Sequence, residues 1–143
     1  MQKLSHHYFA AALGIALVSV VMLLLSGERH FPFVRVMFPD GSALVFVDAP
    51  WRDETRCRES EQKMIDALRS KCVDCRIEQG CPTQLDDASL QALKGLPIDR
   101  HVVQAGTLRV VVEAGAQSAE VCRTMAEQIT REQKQTGHCI APR

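Results

Sequence analysis

The chain has 143 residues, with 17 basic and 17 acidic side chains and 46% hydrophobic residues. That length suits one domain with a modest core. The even charge balance excludes a nucleic-acid footprint and a polybasic lipid-binding segment. The sequence contains no asparagine and so no N-glycosylation acceptor. Arginine outnumbers lysine, and alanine and valine are abundant, as in the product of a GC-rich bacterial gene.

The first element in chain order is the apolar run from Tyr8 to Leu25, YFAAALGIALVSVVMLLL, which holds no charge and no proline. Eighteen helical residues reach about 27 Å, roughly one hydrocarbon core. The run is apolar on every face, which argues against a surface helix of a soluble domain. A cleaved secretory signal is the competing reading, with Lys3 as its charged end. The exit Leu25-Ser26-Gly27-Glu28 is a poor small-x-small cut site. The expectation is therefore a signal-anchor helix over 8–25, a short cytoplasmic segment over 1–7, and an extracytoplasmic domain over 28–143. Lysine and arginine counts around the run leave its orientation ambiguous.

The cysteines decide the orientation. All six, Cys57, Cys72, Cys75, Cys81, Cys122 and Cys139, follow the run. An even number of cysteines in a small domain beyond a membrane signal predicts disulfides in an oxidising compartment. For a bacterial chain this is the inner membrane crossed once, with the C-terminal domain in the periplasm. Six cysteines allow about 15 pairings, and sequence does not choose among them.

Residues 33–38 and 43–48 read as two strands around Pro39-Asp40-Gly41-Ser42, a tight turn, and so as a β-hairpin close to the bilayer. Residues 53–71 read as a helix. Its stripe is Cys57, Met64, Ile65, Leu68 and Cys72, with Asp53 as N-cap or first-turn acid. Trp51 lies just before it and is expected to pack back on it. A short strand follows at Cys75–Glu78. Thr83, with Asp86 three places on, predicts a helix start. Gly95 and Pro97 predict its end near Lys94. Two more strands are expected at 101–104 and 107–113. A helix capped by Ser118 then runs to about Lys134. Gly137 stops it, and a last short strand follows at 138–141.

A shift of 65 residues lays Val45–Ala49 on Val110–Ala114 and Cys57-Arg58 on Cys122-Arg123. Two tandem (β)βαβ units are the expectation, with an inserted helix and the paired helices on one face of an antiparallel sheet. This is an α+β, ferredoxin-like sandwich. Cys57 and Cys122 then occupy equivalent places, which suggests a Cys57–Cys122 bridge. A second bridge, from Cys139 to one of Cys72, Cys75 or Cys81, would join the halves. The stretch Leu108–Ile129, a strand, Glu113-Ala114-Gly115 and an Ala-rich helix, resembles the sporulation-related repeat domains of bacterial cell-wall proteins. That resemblance implies peptidoglycan binding. The chain differs from them in its six cysteines and its lack of a long linker. Similar small sandwiches occur in membrane-anchored secretion and pilus-assembly subunits.

Chemistry-bearing patterns are sparse. Cys72-Val73-Asp74-Cys75 has redox C-x-x-C spacing, but Cys72 follows a helix C-terminus, where the dipole disfavours a thiolate, and Asp74 adds negative charge. Cys72, Cys75 and Cys81, with Cys139 or His138 as the fourth ligand, form an alternative zinc set, opposed by an oxidising compartment. The adjacent acids Asp53-Glu54 and Asp86-Asp87 sit where helix starts favour negative charge. No G-x-S-x-G and no P-loop occurs. The expected function is that of a non-enzymatic envelope protein without cofactors. It would bind another envelope protein or a glycan as an accessory or scaffold subunit, through Phe33, Arg35 and Trp51. The alternative is a periplasmic thiol–disulfide or metal-binding protein built on the Cys72/Cys75/Cys81 cluster.

Overall fold

The computed structural model describes residues 27–113, 115 and 117–143. The apolar run 8–25 lies outside them, and among the described residues no helix is long and apolar enough to cross a membrane.

Strands β1 (Phe33–Met37) and β2 (Ala43–Val47) form the expected hairpin. Helix α1 (Glu54–Arg69) follows, then β3 (Arg76–Gly80), and the short helix α2 (Asp87–Leu93). A second hairpin, β4 (His101–Ala105) and β5 (Leu108–Glu113), leads into α3 (Ser118–Gln133) and β6 (Gly137–Ile140). All six strands form one antiparallel sheet in the order β3-β1-β2-β5-β4-β6.

That order is unchanged when the halves β1-β2-α1-β3 and β4-β5-α3-β6 are exchanged. The tandem repeat thus has a physical form: two like units meeting along β2 and β5. One expectation changes. In a ferredoxin-like sheet a strand of one unit inserts between the two parallel strands of the other. Here the strand between β2 and β3 is β1, from the same unit, and β4 likewise lies between β5 and β6. The offset of 65 also fails within the strands. Leu44, Phe46, Val110 and Val112 face one core, whereas Val45, Val47 and Val111 face the other. Side chains alternate faces along a strand, so only an even offset preserves the face.

The larger core lies under α1 and α3. There Ile65, Cys122, Ala126 and Ile129 pack on Val34, Val36, Phe46 and Val103. The inserted α2 does not join that layer. Its Ala92 covers Val45, Val47, Val102 and Val111 on the opposite face. Both faces of the central strands are therefore buried, which is why β2 reads ALVFV rather than alternating.

The starts of α1 and α2 follow carboxylate caps. Asp53 Oδ1 accepts from the Thr55 amide at 2.8 Å, as expected. The cap of α2 is Asp86, not Thr83: its carboxylate accepts from the Ser89 amide at 3.0 Å and hydroxyl at 2.7 Å. Burial works to raise the Asp86 pKa, but hydrogen bonds from Ser89, joined by the backbone of Asp86 and Ala88, outweigh it and hold the carboxyl below its usual range. Ser118 is not a cap either. It is the first residue of α3, after Gln117, and its hydroxyl lies 3.2 Å from His101 Nδ1.

The bridges are Cys57–Cys81, Cys72–Cys75 and Cys122–Cys139, with Cα separations of 6.1, 5.7 and 5.5 Å. The expected Cys57–Cys122 bridge and the bridge between halves are both overturned. Because each third strand returns to its own unit, Cys57 and Cys122 each clamp a helix to the outer strand of the same half.

Glu61 lies on the buried face of α1, 5% exposed, with Oε2 3.8 Å from Cys81 Sγ. Burial raises its pKa, and Arg58 opposes this in part. With the folded pKa above the unfolded one, the folded state holds the extra proton. The stabilisation is complete below the unfolded pKa and is lost as pH rises through the folded one. Glu61→Gln is therefore expected to gain roughly 1 kcal/mol at pH 7, with the gain vanishing near pH 4. Urea unfolding at both pH values measures it.

Candidate interaction surface

The sheet has two distinct ends. At one end His30 and Trp51 exchange backbone hydrogen bonds of 2.7 and 2.9 Å, and the Phe31 amide donates to Pro82 at 2.9 Å. The chain thus comes in from residue 27 beside the β2–α1 connection. The opposite end carries the β1–β2 turn and the β5–α3 connection, because Met37 pairs with Ala43 and Ala43 with Glu113.

A cleft of about 730 Å³ opens at this second end. Its floor is apolar, from Phe38, Leu44, Val112 and Val121, and Asp40 and Gln117 stand at its rim. The turn chemistry fixes one wall. Gly41 takes φ +84°, and Asp40 Oδ1 accepts from the Ser42 amide at 2.9 Å and hydroxyl at 2.6 Å. Those two bonds, the hydroxyl's first, hold the Asp40 carboxyl below its usual range, so the rim is anionic at neutral pH. The other wall is the start of α3, where Gln117 provides no side-chain cap.

Behind the cleft, on the face that α2 partly covers, Glu113 accepts from Arg35 at 2.7 Å and from Arg100 at 2.9 Å. Glu78 stands 4.0 Å from Arg35. These half-exposed pairs contribute about 1 kcal/mol each at most. Their main effect is to order the side chains at this end of the sheet.

Of the sequence-predicted binding residues, Phe33 and Arg35 stand two places apart on one face of β1, and Trp51 lies outside the strands, bridged to His30. Phe33 packs into the core under α2. Arg35 is engaged with Glu113, on an inner strand. Reversing Arg35 and removing Phe33 would disturb internal packing as well as any docking. Trp51 is 38% exposed at the opposite end from the cleft, with the Arg56 guanidinium 5.9 Å from its ring centre, so it does lie against α1. The alternative zinc set is dispersed. Cys81 follows edge strand β3 and Cys139 lies in edge strand β6, five strand spacings or about 24 Å across the sheet. Among the described residues no cluster of His, Cys, Asp or Glu is arranged to hold a metal. The redox cluster divides as well: Cys81 is bridged to buried Cys57, and Cys72–Cys75 closes a local loop whose Val73 is fully exposed.

No protein family, no curated protein and no solved structure matches this chain. The resemblance of Leu108–Ile129 to peptidoglycan-binding repeats therefore gains no support from comparison. The cleft was not anticipated from the sequence. Its signals were the Pro39–Ser42 turn and the Glu113–Gly115 exit, 70 residues apart and adjacent only once β2 pairs with β5.

Proposed function

We propose that this chain is a single-pass envelope protein of a bacterial inner membrane, with a non-catalytic periplasmic domain that binds a partner protein in the cleft. The observation that carries this reading is the position of the cleft, at the opposite end of the sheet from residue 27. An anchor at 8–25 would hold one end at the membrane and present the cleft to the periplasm. The apolar floor suits a hydrophobic side chain of a protein better than a sugar, which binds by aromatic stacking and dense hydrogen bonding. Pairing of all six cysteines into three bridges supports an oxidising compartment.

The test is photocrosslinking of the full chain in its envelope. A photoreactive residue at Pro39 or Gln117 is expected to yield one discrete adduct. The exposed helix positions Asp66 and Glu127 are expected to yield none. Equal labelling at all four positions, or none at Pro39 and Gln117, overturns the assignment.

A further inference from the structure

The overall charge balance hides a local one. Arg29, Arg52 and Arg56 are all exposed around Trp51, and among the described residues none of the three forms a salt bridge. Among the acids nearby, Asp48 attracts Arg109 and Glu54 accepts from Arg58 at 2.6 Å, while Asp53 keeps its charge as it caps α1, so Asp53 and Glu28 stand against the three arginines. Trp51 is the chain's one tryptophan. Its ring is neither buried in a core nor free. It lies between the backbone bridge to His30 and the guanidinium of Arg56. An amphipathic aromatic ring ringed by arginines suits a membrane–water interface, where the ring enters the headgroup layer and the cations meet phosphates.

The chain length fixes where this surface can go. His30 is five residues beyond Leu25, so full extension separates them by at most about 18 Å. The two hydrogen bonds between His30 and Trp51 then keep Trp51 within about 23 Å of the end of the apolar run, one strand spacing more. We infer that the end of the domain formed by Arg29, Trp51, Arg52 and Arg56 rests on the anionic lipid headgroups of the membrane that holds the chain. This rests on the anchor reading of residues 8–25. Contact at this end also fixes the domain's tilt, so that the cleft points away from the bilayer and does not sweep across it.

The experiment uses the full chain in vesicles of phosphatidylcholine and phosphatidylglycerol, with Trp51 as the reporter. Alkaline carbonate washing is done first. Retention supports the anchor, and extraction overturns both readings. In retained protein, lipids brominated near the headgroup are expected to quench Trp51 and to shield it from aqueous iodide. Arg52→Glu with Arg56→Glu is expected to abolish that quenching while leaving the chain integrated. Neither change touches a core residue, and an acid in the first turn of α1 suits its dipole. High salt, or vesicles lacking phosphatidylglycerol, should weaken the quenching in the same direction. Retained protein whose Trp51 stays open to iodide and unquenched by lipid overturns the headgroup contact and leaves the anchor standing. Quenching indifferent to both charge reversal and salt also overturns it.

Discussion

Replacing Cys57 and Cys81 together with alanine is expected to cost about 3.5 kcal/mol of stability, from the loop entropy that the bridge removes from the unfolded chain. The same pair of changes at Cys122 and Cys139 should cost about 3 kcal/mol, and at Cys72 and Cys75 about 2 kcal/mol. The ranking follows the sequence separations of 24, 17 and 3 residues. Packing sharpens it. Cys57 and Cys122 are fully buried, so their loss leaves space under α1 and α3, whereas the Cys72–Cys75 loop is largely at the surface. Against a typical domain stability of about 5–15 kcal/mol, either of the first two losses is severe. Urea midpoints of the three double variants, with the slope checked for constancy, measure the order. Equal losses would show that the bridges do not act through loop closure.

Gly137→Ala should cost about 3 kcal/mol, the upper part of the range for forcing a group into packed space. A Cβ at this position would lie 2.5 Å from the carbonyl oxygen of Ala126 and 3.0 Å from its Cα. These are backbone atoms of α3, so the helix must lift from β6, close to where the Cys122–Cys139 bridge clamps it. The Gly137 amide also donates to Thr130 Oγ1 at 2.8 Å, a bond lost if the two elements part. Gly27→Ala is the matching control, since its Cβ would meet nothing within 4 Å among the described residues. Calorimetry of the two variants side by side gives the comparison. A Gly137→Ala melting temperature equal to the control would mean that α3 rides higher above β6 than the structure places it.

Gly137 also shows how far local reading reaches. Sequence marks it as a helix stop, and α3 does end nearby, at Gln133, with Lys134 in the left-handed conformation at φ 53°. The reason only glycine fits is a contact with Ala126, eleven residues earlier, that no local propensity encodes. Asp53 was legible as a cap because capping is a bond between near neighbours. The pattern Thr83 with Asp86 three places on reads as a capping box, and the acid of that pair, Asp86, is the cap that forms. From sequence, Phe33 and Arg35 read as docking residues because a hairpin near the membrane suggests an exposed one. Once β3 pairs with β1, and β2 with β5, that hairpin is interior to the sheet.

The sequence by itself determined the elements and their alternation, the two hairpins, the burial stripe of α1, and the presence of bridged cysteines. These depend on periodicity, turn chemistry and composition, which act over a few residues. Only the tertiary structure decided which cysteine meets which, which face α2 covers, and that the hairpin turn and the β5–α3 connection enclose one cleft. Each of those depends on strand order. Strand order is set by which long-range pairing buries the most apolar surface at once, a property of the whole sheet rather than of any segment.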